Sequence, residues 1–314
     1  MNSETVFLFP GQGSQSVGML SDLYHNHSVA EKTFNEASDV LGYDLWDICQ
    51  NGPETRLNQT EVTQPAMLAA DVATWRIWCD LGGAAPTQMA GHSLGEYAAL
   101  VAADSIDFKD AARLVSLRGK LMQTATPEGT GAMAAVLGLE DQQVEKICQD
   151  VTSGTTVSCA NFNSPGQVVI AGHTGAVEKA CEAAKAAGAR RAILLPVSVP
   201  SHCVLMKGAA EQLSNALDDI EIRTPAIPVA HNIDGRSRMD PSEIRSALSA
   251  QLWQPVQWTA TMNGYAAMGV SRMAECGPGK VLSGLARRVS RELKCTALID
   301  SESISTTISD WSHS

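Results

Sequence analysis

The segment Gln88–Asp104, QMAGHSLGEYAALVAAD, leaves a chain few options. Its first residues, ending at Gly91, read as the end of a buried strand. The run that begins LGEYAALVAA reads as an apolar helix. Passing from one to the other so quickly requires a sharp turn, and Gly91 and Gly95 frame Ser93 two positions to either side. G-x-S-x-G at a strand-to-helix turn is the nucleophile elbow. A Cβ at either glycine would crowd the approaching strand and helix, while the turn strains the serine backbone and exposes its hydroxyl. Because the helix starts at once, its free N–H groups would face a developing oxyanion. The plain alternative is that Ser93 caps the helix, a role that does not call for both glycines. Ser93 is therefore the candidate nucleophile.

The rest of the chain supplies a frame for such a turn. TVFLFP (Thr5–Pro10), MAG before Ser93, IPVAHN and RMAEC read as buried strands. SVAEKTFNEASDVLG, PAMLAADVATWRIWCDLG and FKDAARLVSLRGKLMQTA read as helices between them. Alternation of this kind predicts a parallel sheet covered on both faces. From about Gly129 the texture changes: strand GAMAAVLGL, helix EDQQVEKICQDV, strands TVSCANFN and QVVIAGH, helix TGAVEKACEAAKAAG, strand RRAILLPV. This β-α-β-β-α-β order is the ferredoxin-like split motif. It predicts a small subdomain over 129–198 inserted into a large α/β domain made of 1–128 and 199–300. The serine-rich residues 301–314 are expected to form a mobile polar tail.

Composition narrows the partners. A formal net charge of -11 disfavours nucleic acid and anionic membrane surfaces. No apolar stretch is long enough to span a bilayer. The N-terminus has no basic region before its apolar run, which stops at Pro10, so a cytoplasmic location is expected. The eight cysteines form no C-x-x-C, and His25 and His27 have no partner cluster, so no metal site is expected.

A serine hydroxyl needs a base. His92 adjoins Ser93, but neighbouring side chains at a turn tend to point apart. His173 ends a strand, His313 lies in the tail, and His231 remains possible. His202 is the best placed: in LLPVSVPSHCVLMKGAAEQL the strand breaks at Pro200 and a helix is expected from near Ser201. His202 falls on that helix's apolar stripe with Leu205, Met206 and Ala209, and a helix N-terminus would keep its imidazole neutral. No acid completes a triad; a backbone carbonyl or an amide would have to orient the ring. Gln251, in SAQLWQPVQW, sits in a suitable context that spacing alone does not single out. Arg118 fills the gap in the apolar stripe of Ala111, Leu114, Val115, Leu121 and Met122. A buried guanidinium needs an anion, either a structural carboxylate or a substrate carboxylate held by two hydrogen bonds.

Taken in order, FPGQGSQSVGM, ETRLNQTEVTQPAML, GHSLGEYAAL, RLVSLRGKLMQ, NFNSPGQVVIAG, VSVPSHCVLM, QLWQPVQW and ECGPGKVL resemble the malonyl-CoA:acyl-carrier-protein transacylases of bacterial fatty acid synthesis, from Thr5 to Asp300. The resemblance implies an α/β-hydrolase-like large domain with a ferredoxin-like insert. It implies a Ser93–His202 dyad, with the backbone carbonyl of Gln251 orienting the imidazole and the N–H groups of Gln12 and Leu94 forming the oxyanion hole. It places Arg118 on the malonate carboxylate. Gln64, His92, Met122, Asn161, Asn163, Ser201 and Val281 fall at the substrate pocket. Malonyl-CoA and acyl carrier protein are the implied partners, and no cofactor is implied. A trans-acting acyltransferase of a polyketide pathway and a serine carboxylesterase are the alternatives.

Carrier proteins of this pathway are generally acidic, so an acidic enzyme needs a local positive patch. GKVLSGLARRVSRELK offers Lys280, Arg287, Arg288, Arg291 and Lys294 on what reads as one helix, and Arg190 and Arg191 open the last strand of the insert. The plain alternative is a solvated helix face.

Overall fold

Val6, Phe7, Leu8 and Phe9 are all fully buried, so the strand Thr5–Phe9 (β1) has no solvent face. Only the interior of a covered parallel sheet accepts such a strand. The computed structural model, which describes residues 4–127, 129–197 and 199–312, puts it at the centre of one. Gln88–Gly91 (β2) pairs with β1 on one side, and a two-residue strand, Val229–Ala230 (β7), lies beyond it. Arg272–Cys276 (β8) pairs on the other side, followed by Lys294–Leu298 (β9), and every pairing in the sheet is parallel. The strand order is β7-β2-β1-β8-β9.

The second sheet is antiparallel, with order β4-β5-β3-β6. Its strands are Gly131–Leu137 (β3), Val157–Ser164 (β4), Gln167–His173 (β5) and Arg191–Leu194 (β6). Helices Asp141–Val151 and Thr174–Ala186 cover it around Val136, Val144, Val168, Ile170 and Val177, which is the split-motif order. Val256 ties β4 to the large sheet's side of the molecule: it donates to Ala160 O at 2.8 Å, and its carbonyl accepts from Phe162 N at 2.9 Å.

Three expectations about local structure are corrected. No helix begins near Ser201; a turn of 3₁₀ helix covers Val204–Met206 and the α-helix runs Lys207–Asp218. The reason is His202 itself, whose φ of 59° is left-handed and cannot start a right-handed helix. Lys294 belongs to β9, since the preceding helix stops at Val289. Residues 301–312 are not a mobile tail but a helix, Ser301–Ser312, while 313–314, with His313, lie outside the described residues. Asp300 caps this helix through Ser303 N at 2.8 Å, and Asp22 accepts from Ser301 N at 2.7 Å. Ile304 is buried, and the Trp311 ring meets Phe7 and Trp78 edge-on, with centroids 5.8 and 5.3 Å away.

Candidate active site

The strand-to-helix turn after β2 is as tight as the glycines suggest. A Cβ on Gly91 would lie 1.9 Å from the Gly95 carbonyl, and one on Gly95 would lie 2.0 Å from Phe9 O. Only glycine at both positions lets β1, β2 and the helix Gly95–Ala102 meet. Ser93 takes the strain, with φ at 52°. A left-handed non-glycine residue costs about 1–2 kcal/mol. Four non-glycine residues among those described have positive φ, and Ser93 and His202 are two of them. Such strain persists only where surrounding contacts impose it, and it clusters at functional sites.

The two strained residues face each other. Ser93 Oγ lies 2.7 Å from His202 Nε2, and His202 Nδ1 lies 2.7 Å from the carbonyl oxygen of Gln251. A carbonyl only accepts, so Nδ1 carries the proton and Nε2 is left to accept from the serine hydroxyl. Gln251 thus orients the ring through its backbone, and no acid is required. Burial pushes His202 down from its ordinary value to about 3, with repulsion from the Arg118 guanidinium adding to it. The helix N-terminus expected to do this is five residues further on, at Lys207. The imidazole is consequently a neutral, available base at neutral pH.

Arg118 comes from the helix Phe108–Thr124 and is 1% exposed. Its Nη2 donates to Gln251 Oε1 at 2.9 Å and reaches Ser93 Oγ at 3.3 Å, and its guanidinium lies 5.4 Å from the Tyr97 ring centroid. Nε is buried without a partner. Among the described residues no carboxylate forms a salt bridge with Arg118; Glu96 acts on it only from behind Gln251, which accepts from the guanidinium and donates to that carboxylate. The guanidinium faces a cavity of about 260 Å³ that also receives Ser93 and His202. Segments beyond the carboxyl ends of β1, β2 and β8 reach this cavity, the usual place for a ligand in an open α/β sheet. β3, β4 and β5 supply its opposite wall through Met133, Asn161, Asn163 and Val169.

The remaining pocket candidates line the same cavity: Gln12, Gln64, His92, Leu94, Met122, Ser201 and Val281. The backbone N–H groups of Gln12 and Leu94 find no acceptor among the described residues, as an oxyanion hole requires. Gln64 Nε2 donates to Met122 Sδ at 3.2 Å and leaves its Oε1 unpartnered. His92 does point away from the serine; its Nε2 meets Asn163 Oδ1 at 2.8 Å. The model of the acyl transferase domain family matches residues 6–297.

The chain belongs to this family.

The acyltransferase is 55% identical over 296 residues to the malonyl CoA-acyl carrier protein transacylase of Escherichia coli, covering 94% of this chain and 96% of the relative. It is 43% identical to the protein of the same name from Bacillus subtilis over 303 residues, covering 96% of this chain and 95% of the relative. Among solved structures, a malonyl-transacylase in complex with a type II PKS acyl-carrier protein superposes with a TM-score of 0.97 at 55% identity, covering 98% of this chain and 100% of that one.

His231 is not the base of this acyltransferase. It is fully buried with Nδ1 2.7 Å from Glu96 Oε1. Glu96 and Asn232, which sequence reasoning passed over, lie directly behind the elbow: Asn232 Oδ1 accepts from Ser93 N at 2.6 Å. The available signal was a lone carboxylate in the helix Gly95–Ala102, whose eight residues are all buried. The basic residues Arg190, Arg191, Lys280, Arg287 and Arg288 are exposed and stand outside the cavity. Arg288 nevertheless donates to Gln167, a cavity residue, and Gln167, Leu137 and Arg191 form one row across the small sheet.

The position of His202 sets a pH expectation. Its unfolded value is about 6.5 and its folded value about 3. The free enzyme's base therefore stays neutral well below pH 6, and kcat/KM should show no acid limb at the ordinary histidine value. Between those two values the unfolded chain binds more protons, so the same group lowers stability as pH falls through that window. A kcat/KM profile breaking near pH 6.5 would contradict the assignment.

Proposed function

We propose that this acyltransferase moves a malonyl group from malonyl-CoA to the phosphopantetheine thiol of an acyl carrier protein through a malonyl ester on Ser93. The observation that carries this reading is Arg118, a buried guanidinium that makes no salt bridge among the described residues, beside a serine–imidazole pair. Its natural partner is the free carboxylate of a diacid thioester. In the first half-reaction His202 Nε2 takes the Ser93 proton as Oγ attacks the thioester carbonyl. The oxyanion is held by the Gln12 and Leu94 N–H groups, each worth a few kcal/mol. The tetrahedral intermediate collapses, the C–S bond breaks, and CoA leaves as a thiol with the proton from His202. The second half-reaction reverses these steps with the carrier thiol as nucleophile. His202 carries every proton, so the scheme draws on no cofactor. A cytoplasmic location belongs to this reading; among the described residues no helix is long and apolar enough to cross a membrane.

A polyketide carrier is a second reading, favoured by the 55% identity to a malonyl-transacylase solved with a type II PKS carrier. A carboxylesterase would have no use for Arg118. Mass spectrometry after mixing the protein with malonyl-, methylmalonyl- or acetyl-CoA tests the proposal. A gain of one malonyl group on Ser93 is expected, and its absence refutes the covalent route.

The carrier is placed on the basic face formed by Arg190, Arg191, Lys280, Arg287 and Arg288. Complementary charge offsets the repulsion between an acidic carrier and a protein of net charge -11. Changing Arg287 and Arg288 together to glutamate should raise KM for the carrier by about tenfold, through lost steering. KM for malonyl-CoA should not move. Unchanged carrier kinetics would remove this face from consideration.

A further inference from the structure

Glu96 is buried to 0% exposure beneath the elbow, and its carboxylate gathers three N–H donors. His231 Nδ1 meets Oε1 at 2.7 Å, while Asn232 N and Gln251 Nε2 each donate to Oε2 at 2.9 Å. Two of these partners continue to the backbone around the nucleophile. Asn232 Oδ1 accepts from Ser93 N at 2.6 Å, and its Nδ2 donates to Gly91 O at 2.6 Å. Gln251 Nε2 also donates to Ser93 O at 2.8 Å, and the carbonyl of the same residue holds His202. One carboxylate thus anchors both ends of a residue whose φ of 52° is left-handed. Such a conformation needs external contacts to persist. With Ser93 N–H occupied by Asn232, the next amide, Leu94 N–H, is the one left facing the cavity.

We propose that Glu96 is a positioning residue: through Asn232 and Gln251 it fixes the Ser93 backbone so that Oγ meets His202 while Leu94 N–H stays free for the oxyanion. Glu96 touches no reacting atom. An ionised carboxylate suits the role because it is acceptor-only. A glutamine could keep every link, because His231 can move its proton to the unpartnered Nε2 and accept from the new NH₂ group, whereas alanine removes the acceptor altogether. The inference rests on the acyl-enzyme reading above.

The test is the rate of malonyl labelling at Ser93, followed by rapid quench and mass spectrometry against malonyl-CoA concentration. The wild-type chain must label; if it does not, the acyl-enzyme reading falls and this proposal with it. For Glu96→Ala a maximal rate 10- to 100-fold lower is expected, with half-saturation within twofold of wild type. Asn232→Ala should fall in the same way, and the double variant should be no slower than the slower single, because the two changes cut one chain of contacts. His231→Ala, which removes the donor that leads away from Ser93, should lower Tm and leave the maximal rate within twofold. Labelling of Glu96→Ala at the wild-type rate, per folded molecule, overturns the proposal, as does a loss confined to half-saturation. If Glu96→Ala does not fold, Asn232→Ala decides: a slowed maximal rate in a folded variant supports the proposal, and a wild-type rate overturns it.

Discussion

Ser93→Ala is expected to abolish the malonyl label and to lower transfer to the carrier by at least about 10⁴-fold, the scale on which a covalent nucleophile acts together with its base. The neighbouring groups cannot substitute. His202 Nε2 is held 2.7 Å from Oγ with its other nitrogen fixed on Gln251 O, so the ring is positioned to activate that hydroxyl. The Arg118 pocket and the free amides would remain, and malonyl-CoA should still bind. The variant should therefore compete for substrate without turning over. Stability offers an independent reading. Ser93 sits at φ 52°, and glycine adopts that conformation without a Cβ clash. Ser93→Gly should be equally inactive and more stable by about 1 kcal/mol, whereas Ser93→Ala keeps the clash and gains nothing. Residual transfer above a few per cent in either variant would show that the acyl group does not pass through this oxygen.

The second large effect concerns which acyl group is taken. Arg118→Ala should cut malonyl transfer by about 100- to 1,000-fold, corresponding to about 3–4 kcal/mol for a truncated, desolvated charge pair. Acetyl transfer, which presents no carboxylate, should fall by less than about tenfold, and equal losses would refute the clamp. Arg118 has a second influence, on the base. Its guanidinium is one cause of the depressed His202 value, second to burial. A bound carboxylate neutralises that charge, so His202 should become more basic once substrate is present. The acid limb of kcat, which reports the complex, should therefore lie at higher pH than that of kcat/KM, which reports the free enzyme. In Arg118→Ala the free-enzyme limb should itself move to higher pH. Measuring both profiles for both proteins separates the clamp from the electrostatic effect. In the unliganded protein Arg118 makes no salt bridge among the described residues and its burial outweighs the attraction of Glu96, so Arg118→Met, of similar length, should not lower Tm.

Much of this site is legible in one dimension because its parts carry local signals. Gly91 and Gly95 flag a turn that admits no Cβ, and the turn flags Ser93. Arg118 interrupts an apolar stripe of helical period, so its burial follows from spacing. The split motif is legible because alternating strands and helices of ordinary length leave a clear order. The misses have equally specific causes. Residues 301–312 look like a solvated tail because serine and threonine dominate, yet Ile304, Thr307 and Trp311 recur at helical spacing; the first two are buried and the third is seated on Phe7 and Trp78. β9 is short, and its exposed first residue, Lys294, reads as the end of the basic helix before it. His202 shares the apolar stripe of a helix that does not begin until Lys207. Glu96, His231 and Asn232 lie far apart in the chain, and nothing local marks them as one cluster.

The sequence by itself determined the elbow, the buried guanidinium, the order of strands and helices, and, through the motifs quoted, the family, since each depends on short-range sterics, periodicity or local identity. Only the tertiary structure decided that His202 meets Ser93 in a left-handed turn, that a Gln251 carbonyl takes the place of an acid, and that Arg118 forms no salt bridge among the described residues. It also gathered the contacts of Glu96 behind the elbow. These are distances of a few ångströms between residues separated by up to 158 positions. Hydrogen bonds and charge pairing act through space, and no spacing along the chain records them.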